Sequence, residues 1–400
     1  MIAKALPLAL LAGAASAACP LSVQITDSDN HVVNVAVTNT GNETVSVFRG
    51  NTVFSEHATK DLLVTDADPE GNALPFEGIY VNYKRTGLAA SSFQKIEAGQ
   101  TITVSVNPAR SYKLHGVSQA KVTAIQGFRY ATGATTPSSI KELSLCADVL
   151  SGEVDVTPDQ SAVAKYVLYN NKYAKFGNGA NIKVLRQHIS YKRDVPVSSR
   201  IQKRAITYSS CSTSQTTALK TSVTDAISMA KAAYTAANTA AYYFTTWFVP
   251  LTTLEGCLFS LLTLTALSRF ISTSNEAKVR TIYNSVANVQ TTSPKISCTD
   301  TYSDCTDGSA LLYTVPSANV IVPCPNNGFW DFPELAPQCS GDDYDRAGSM
   351  LHEMTHLYGT TDWAYGPTAA KALSATKAAA NADTYEMYAE SVRLGGCTTG

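Results

Sequence analysis

The stretch of sequence that decides the fold lies at residues 352–366 and reads HEMTHLYGTTDWAYG. His352 and His356 stand four positions apart, so a helix places both imidazoles on one face, where they can share a Zn²⁺ at about 2.0–2.1 Å. Glu353 lies beside them, in position to take a proton from a water molecule without binding the metal itself. The spacing therefore predicts a helical zinc site suited to hydrolysis.

The residues around this motif predict the helix that the geometry requires. Acidic side chains come first, and negative charge is favoured at the start of a helix. Gly359 stands where a helix commonly ends in a left-handed residue. The preceding acids are Asp342, Asp343 and Asp345, and the apolar stripe consists of Ala347, Met350, Leu351, Met354 and Leu357. We therefore expect a buried helix that ends before the glycine.

A catalytic zinc needs a third protein ligand and leaves one position open for water. Asp362 lies ten residues after the first histidine, just beyond Gly359. In metzincins a histidine fills this position. The competing candidates are Glu386 and Glu390, on a later helix predicted at Asp383–Leu394. We favour Asp362 because the glycine turn allows the chain to return toward the histidines within a few residues.

Residues 1–18 have the composition of a secretory signal peptide, with Lys4 followed by a short apolar run and then small residues. The apolar run is too short for a membrane span, which needs about 20 residues. Export implies an oxidising compartment, where the nine cysteines are more readily explained as disulfides than as metal ligands. We therefore expect a secreted, extracellular protein without a membrane anchor, in which one cysteine stays unpaired.

A polar and basic stretch at residues 191–204 predicts a processing site. The dibasic pair that ends at Arg204 lies in an exposed linker, which is typical of cleavage by a kexin-type protease. Cleavage between Arg204 and Ala205 would separate a propeptide, 19–204, from a mature region, 205–400. The alternative interpretation is a solvated basic linker that is not cut.

The pattern of side chains changes across this linker. Upstream, short alternating β-branched runs predict an antiparallel β-rich domain. Downstream, long alanine-rich or helically spaced segments predict helices, with few β signals outside 311–322. The upstream runs are Val32–Val37, Val45–Phe48, Thr101–Val106 and Lys121–Tyr130, and the downstream segments are Ser214–Phe248 and Glu276–Gln290. The expected fold class is α+β, with a β-rich propeptide domain followed by a mainly helical catalytic domain.

The net charge of −1 conceals two oppositely charged parts. Residues 19–204 carry 20 basic and 16 acidic side chains, whereas residues 205–400 carry 10 basic and 16 acidic ones. Opposite charges favour association, so we expect the propeptide to inhibit the mature region by covering its site. Binding of zinc by His188 or by a propeptide cysteine is the alternative mode of inhibition. The lack of overall basicity argues against nucleic acid as a partner, and we expect a monomer.

The motif and the residues after it carry a family resemblance. The pentapeptide at 352–356 and the stretch GTTDWAYG at 359–366 resemble the paired HExxH and GTxDxxYG motifs of the deuterolysins, the aspzincin zinc endopeptidases that fungi secrete. The order of signal peptide, propeptide and mature region is similar as well. The resemblance implies a zincin-like catalytic domain that binds one Zn²⁺ and cleaves peptide bonds.

The resemblance also implies a role for each motif residue. His352, His356 and Asp362 would bind the zinc. Glu353 would act as the general base, and Tyr365 would donate its hydroxyl to the developing oxyanion.

The implied substrates are proteins, with a preference for basic ones such as histones and protamines, in keeping with the acidic mature region. Asp383 resembles an acidic specificity residue of some lysine-preferring relatives. Its alternative role is to cap the N-terminus of the last helix. The competing functional interpretation is a secreted protein that binds zinc without catalysis, against which Glu353 argues. A serine hydrolase is not favoured, because the sequence lacks a Gly-x-Ser-x-Gly elbow.

The cysteines divide between the two regions. Cys19 and Cys146 fall in the propeptide and can close it at its two ends. The deuterolysin framework implies the pairs Cys211–Cys298, Cys305–Cys324 and Cys339–Cys397 in the mature region. Cys257 is left over in an apolar segment, 247–267, which looks like an insertion relative to the deuterolysins. A buried helix hairpin and an unspliced intron are the alternatives for this segment.

Overall fold

The computed structural model describes residues 19–27, 31–68, 70–163, 205–238, 242–249, 275–337 and 345–396, without the side chains at 147 and 148. They form an N-terminal region, 19–163, and a C-terminal region, 205–396. The predictions that lie outside the described residues are the signal peptide at 1–18, the linker at 191–204 with Arg204, and the residues His188, Cys257, Cys339, Asp342, Asp343 and Cys397.

Antiparallel sheets make up the N-terminal region, because its β-branched residues alternate between buried and more exposed positions. One sheet has the order β1-β2-β7, and a larger one has the order β4-β8-β3-β6 with β9 paired to β8. Side chains from both sheets share one hydrophobic core. The strands are β1 (Leu21–Asp27), β2 (Val33–Asn39), β3 (Val45–Phe48), β4 (Leu62–Asp66), β5 (Tyr80–Tyr83), β6 (Phe93–Ile96), β7 (Thr101–Val106), β8 (Ala120–Thr132) and β9 (Ser144–Val156).

Helices dominate the C-terminal region. The first one begins at a capping box, in which the Ser212 hydroxyl accepts a hydrogen bond from the Gln215 N–H. The helices are α1 (Thr213–Ala236), α2 (Tyr242–Phe248), α3 (residues 275–287), α4 (Arg346–His356), α5 (Pro367–Lys371), α6 (Ala375–Ala378) and α7 (Ala382–Leu394). The run predicted as one helical segment at 214–248 therefore holds two helices. α1, α4 and α7 contact one another around a shared apolar core.

A mixed sheet joins the two regions. Its order is β10-β11-β13-β12-β5, where β10 is Thr207–Ser209, β11 is Lys295–Ser297, β12 is Ala310–Val315 and β13 is Val320–Pro323. The β signal predicted at 311–322 is the β12–β13 hairpin. The outermost strand, β5, comes from the N-terminal region and runs antiparallel to β12. The N-terminal region thus supplies one edge of the sheet on which the C-terminal helices pack.

The predicted α+β class is confirmed: antiparallel sheets occupy the N-terminal region and helices predominate in the C-terminal one. Disulfides join Cys19 to Cys146, Cys211 to Cys298, and Cys305 to Cys324, with Cα–Cα distances of 5.5, 4.9 and 5.5 Å. These pairs match those predicted above for the described cysteines. None of the helices in the described ranges is both long enough and apolar enough to cross a membrane.

Candidate active site

Helix α4 carries both histidines of the motif. Asp345 caps its N-terminus, with a carboxylate oxygen that accepts a hydrogen bond from the Gly348 N–H at 2.5 Å. Four members of the predicted apolar stripe, Ala347, Met350, Leu351 and Met354, are fully buried, whereas the fifth, Leu357, is half-buried against the same core. The helix ends at His356, and Gly359 follows with a φ of +92°, a conformation that favours glycine.

Asp362 returns to the two imidazoles as predicted from the glycine turn. Its Oδ1 lies 3.1 Å from His352 Nε2 and 3.3 Å from His356 Nε2. All three side chains are at most 1 % exposed. The two rings meet at 76°, so their Nε2 atoms approach the carboxylate from different directions.

This arrangement fits a zinc ion. Ligands held tetrahedrally at about 2.0–2.1 Å from Zn²⁺ are separated by about 3.3–3.4 Å, close to both nitrogen–oxygen distances. His356 Nε2 and Asp362 Oδ2 are buried and form no hydrogen bond with any described residue. A buried polar atom without a partner is costly unless a ligand such as a metal satisfies it. Two imidazoles and a carboxylate are also the donor types found at catalytic zinc sites.

The two alternative carboxylates lie elsewhere. Glu386 Oε2 is 3.3 Å from His352 Nδ1, on the opposite side of the ring from Asp362. Such a partner orients a metal-binding imidazole through its second nitrogen. Glu390 accepts a hydrogen bond from Arg393 Nε at 2.9 Å and lies near Gly348 in the first turn of α4. The geometry therefore favours Asp362 over both glutamates as the third ligand.

A second group of possible ligand atoms, from Asp383 and Glu386, surrounds His352 Nδ1. The positively charged side chain of Arg85 already lies against these carboxylates. Asp383 Oδ1 and Glu386 Oε2 lie 3.8 and 3.3 Å from this nitrogen. Arg85 Nη2, from the N-terminal region, lies 2.6 Å from the same Asp383 oxygen and 3.5 Å from the same Glu386 oxygen. The side chains of Arg85, Asp383 and Glu386 are at most 2 % exposed, so the guanidinium neutralises a buried acidic pair.

Asn381 positions the loop that contains Asp362. Its Oδ1 accepts hydrogen bonds from the main-chain N–H groups of Trp363 and Ala364, at 2.8 and 2.9 Å. Asn381 also occupies the N-cap position of α7. The alternative role of Asp383 as the cap of this helix is therefore wrong. Asp383 lies inside the first turn, where its Oδ2 accepts a hydrogen bond from the Gly366 N–H at 2.7 Å.

Glu353 has one oxygen held and one free. The Thr314 hydroxyl, on β12, donates a 2.6 Å hydrogen bond to Glu353 Oε2. Oε1 is buried and has no hydrogen-bond partner among the described residues. Burial raises the pKa of Glu353 to about 7, although the nearby imidazoles and the Thr314 hydrogen bond oppose this. A carboxylate with a pKa near neutrality is well suited to exchange protons with a reacting group.

Tyr365 lies beside the histidines with its hydroxyl protonated. Its ring is nearly parallel to that of His352, with centroids 6.1 Å apart, and the Arg129 guanidinium lies over it. Burial raises the pKa of Tyr365 well above its usual range. The hydroxyl donates a 2.5 Å hydrogen bond to the Val81 carbonyl and accepts one from Asn51 Nδ2 at 2.7 Å. Val81 and Asn51 of the N-terminal region thus form hydrogen bonds with the same hydroxyl that is predicted to stabilise an oxyanion.

The chain is similar to known proteins over most of its length. A family profile described as lysine-specific metallo-endopeptidase, of the aspzincins, matches residues 232–390. A neutral protease 2 homologue of Phaeosphaeria nodorum is 30% identical over 381 residues, covering 94% of this chain and 91% of the relative. The chain belongs to the aspzincin metallo-endopeptidase family. A second homologue, from Sclerotinia sclerotiorum, is 29% identical over 94% of this chain and 90% of its own length. A probable neutral protease 2 homologue A of Trichophyton rubrum is 27% identical, with 97% and 96% covered.

This aspzincin is a zinc metalloendopeptidase. Its structure brings together His352, Glu353, His356, Asp362 and Tyr365, all of which the sequence singled out. Three further residues were not recognised from the sequence. They are Thr314, whose hydroxyl donates to Glu353, Asn381, which holds the loop that contains Asp362, and Arg85, which neutralises Asp383 and Glu386. The spacing of Asp383 and Glu386, three positions apart on one face of α7, was the only local signal for that pair.

Proposed function

We propose that this aspzincin is secreted as an inactive proenzyme and, once processed, hydrolyses peptide bonds in extracellular proteins. One observation carries the proposal: the Nε2 atoms of His352 and His356 meet the Asp362 carboxylate, and the neighbouring Glu353 Oε1 has no hydrogen-bond partner in the described part of the chain. This set combines a three-ligand metal site with an adjacent acid–base group, as hydrolysis by a zinc enzyme requires.

His352, His356 and Asp362 would hold the metal. When bound there, Zn²⁺ would polarise the carbonyl of the substrate and lower the pKa of water toward ~7. Glu353 would take the proton of the attacking water at Oε1 and later give it to the leaving amine. The Thr314 hydrogen bond to Oε2 would leave Oε1 as the atom that accepts the proton.

Tyr365 would donate its hydroxyl to the negative charge that develops on the carbonyl oxygen. Its pKa is raised by burial, so the proton is available at neutral pH. The parallel ring of His352 and the Arg129 guanidinium fix the position of the tyrosine ring. A donor placed before the reaction begins needs no reorganisation when the charge forms, which makes it effective.

A preference for basic proteins, such as histones and protamines, follows from the acidic groups next to the site. Asp383 and Glu386 are buried, and in this structure a guanidinium lies within 3.5 Å of each. Once that guanidinium has left, a lysine or arginine of a substrate would satisfy the same carboxylates. The net charge of −6 over residues 205–400 would add attraction at longer range.

The N-terminal region would serve as the propeptide, with 19–204 removed by a kexin-type protease that cuts between Arg204 and Ala205. The dibasic pair and the opposite charges of the two parts support this. Strand β5 lies directly over the zinc ligands, and the Tyr80 ring stacks on His356 with centroids 4.4 Å apart. Substrate would therefore need the N-terminal region to leave.

A digestion experiment separates this function from its alternative, a secreted protein that binds zinc without catalysis. The purified chain is cut with a kexin-type protease, separated from its N-terminal part, assayed for zinc, and incubated with casein and with protamine. We expect zinc at one ion per chain, digestion of both proteins, and loss of digestion with a chelator that zinc restores. Bound zinc without digestion would establish the alternative, provided that the N-terminal part has been removed.

A further inference from the structure

Strand β5 lies in the place of an extended peptide on the edge of the C-terminal sheet. It pairs antiparallel with β12, and Tyr80 is opposite Thr314 while Asn82 is opposite Leu312. Opposite residues of an antiparallel pair project to the same face of a sheet. Because the Thr314 hydroxyl reaches Glu353, that face is the one turned to the zinc helix α4. Addition of a strand to a free sheet edge is a common way of binding a peptide.

The main chain of β5 meets the catalytic groups as a substrate would. The Val81 carbonyl accepts the hydrogen bond from the Tyr365 hydroxyl, the donor that we assign to the oxyanion. Tyr80, the residue before it, stacks on the zinc-binding imidazole of His356. Asn82, the residue after it, is fully buried, and its side-chain amide forms no hydrogen bond with a described residue. The bond between Val81 and Asn82 thus occupies the position of a bond to be cut.

Arg85 fills the acidic pair on the same side of the site. Its Nη2 lies 2.6 Å from Asp383 Oδ1, and the arginine is 1 % exposed. Removing one partner of a buried ion pair strongly weakens the association that the pair supports, because the other charge is left unpaired in a medium of low polarity. Asp383 and Glu386 would then be left without this cation. The arginine is therefore a strong anchor for the strand that carries it.

A second ionic cluster holds the same part of the N-terminal region. His57 Nδ1 lies 3.0 Å from Asp304 Oδ1, and His57 Nε2 lies 3.2 Å from Asp307 Oδ2. Both aspartates belong to the C-terminal region: Asp304 directly precedes Cys305, and Asp307 lies in the loop closed by the Cys305–Cys324 disulfide. The disulfides in the described ranges each join cysteines of one region, so the contacts between the regions there are non-covalent.

We infer that Tyr80–Arg85 inhibits the enzyme as a substrate mimic, with the Val81 carbonyl at Tyr365 and the Arg85 side chain in the Asp383–Glu386 pair. The inference rests on the proposed function and replaces general steric cover by a defined strand. Cleavage at Arg204 would then be insufficient for activity, because the inhibitory strand lies more than a hundred residues before that bond. The enzyme stays inhibited until the cut N-terminal part dissociates.

The test compares three full-length chains, the wild type, Arg85→Ala and Lys84→Ala. Lys84 is the matched control, because it is the neighbouring basic residue, also lies just beyond the end of β5, and is half-buried. Each chain is cut with a kexin-type protease and examined by size-exclusion chromatography and by hydrolysis of a fluorogenic peptide during dilution. We expect the wild type and Lys84→Ala to remain complexes with little activity until diluted. Arg85→Ala should dissociate at concentrations at least about 30-fold higher, with activity appearing in parallel.

Equal dissociation of all three chains would overturn the inference and leave steric cover by the rest of the region. Failure of the proposed function has a different signature: zinc-loaded wild-type enzyme would stay inactive even after complete dissociation. If Arg85→Ala does not fold, synthetic peptides of residues 78–87 decide the question. The peptide with the Lys84→Ala change should inhibit the dissociated wild-type enzyme as well as the natural one does. The peptide with Arg85→Ala should be at least about 30-fold weaker, and equal inhibition by both would also overturn the inference.

Discussion

The hydroxyl of Tyr365 donates a 2.5 Å hydrogen bond to the main-chain carbonyl of Val81, 284 residues earlier in the chain. One partner belongs to the GTxDxxYG motif and the other to a strand of the N-terminal region. The ring of this tyrosine lies nearly parallel to that of His352, one of the proposed zinc ligands. The hydroxyl proposed to act in catalysis is thereby bound by the region that we propose as the propeptide.

Glu353→Gln should abolish turnover without loss of the metal. The amide cannot accept the proton of the attacking water, and general-base catalysis contributes about 10²–10⁴-fold to such reactions. We therefore expect peptide hydrolysis to fall by at least about 100-fold, while metal analysis still finds one zinc per chain. Substantial residual hydrolysis by the zinc-loaded variant would contradict the assignment of the base.

Asp362→Ala should lose both the metal and the activity. The carboxylate lies within 3.3 Å of both Nε2 atoms, so its removal leaves only two ligands. Zinc content after dialysis is the measurement, and Glu390→Gln is the control that should retain its zinc. One zinc per chain in Asp362→Ala would instead make Glu386 or Glu390 the third ligand.

Tyr365→Phe should lower kcat by about 10²-fold or more and change KM little. The hydroxyl would act on charge that exists only in the transition state, so ground-state binding does not depend on it. Steady-state kinetics of the dissociated enzyme measure both constants. Tyr358→Phe is the control, because its hydroxyl lies 3.0 Å from that of Thr292, is more exposed and should leave kcat unchanged. A rise in KM at constant kcat in Tyr365→Phe would assign the tyrosine to substrate binding.

Asp383→Asn should reduce the preference for basic substrates. Two peptides that differ only in one lysine or its neutral replacement are compared by kcat/KM. The loss of an ionic contact worth about 1.4 kcal/mol lowers kcat/KM for the lysine peptide tenfold relative to that for the neutral peptide. We expect the ratio to fall by about this factor or more. A variant that loses activity equally on both peptides would show that Asp383 only orients His352 and Gly366.

His57→Gln should remove a pH-dependent part of the stability. Burial alone would lower the pKa of His57, but Asp304 and Asp307 outweigh it and raise the pKa to about 9. The pKa is about 6.5 in the unfolded chain, so the contribution is complete below pH 6.5 and is lost as the pH rises through 9. The wild type should exceed the variant by about 1–3 kcal/mol at pH 6 in denaturant unfolding of the uncut chain. An equal difference at pH 6 and at pH 10 would contradict the titration of His57.

Local sequence was sufficient for the zinc helix and its loop. The i, i+4 histidines, the capping Asp345 and the Gly359 turn act over one or two turns of chain, so each could be recognised without its surroundings. The same holds for strands such as β3 and β7, whose bounds match the predicted runs. Sequence alone left the choice among Asp362, Glu386 and Glu390 open. The packing of α7 against α4 favours Asp362, because it turns Glu386 toward Nδ1 of His352 and Glu390 toward the first turn of α4.

The chain by itself therefore determined the chemistry of the site, since ligand type and spacing are local properties. Only the tertiary structure decided what covers that site. Residues 80–85 carry no local sign that they pair with a strand more than two hundred residues away, or that Arg85 neutralises Asp383. Strand pairing and buried ion pairs depend on which distant groups folding brings together, because their energy arises from contact and desolvation at the place where the two segments meet.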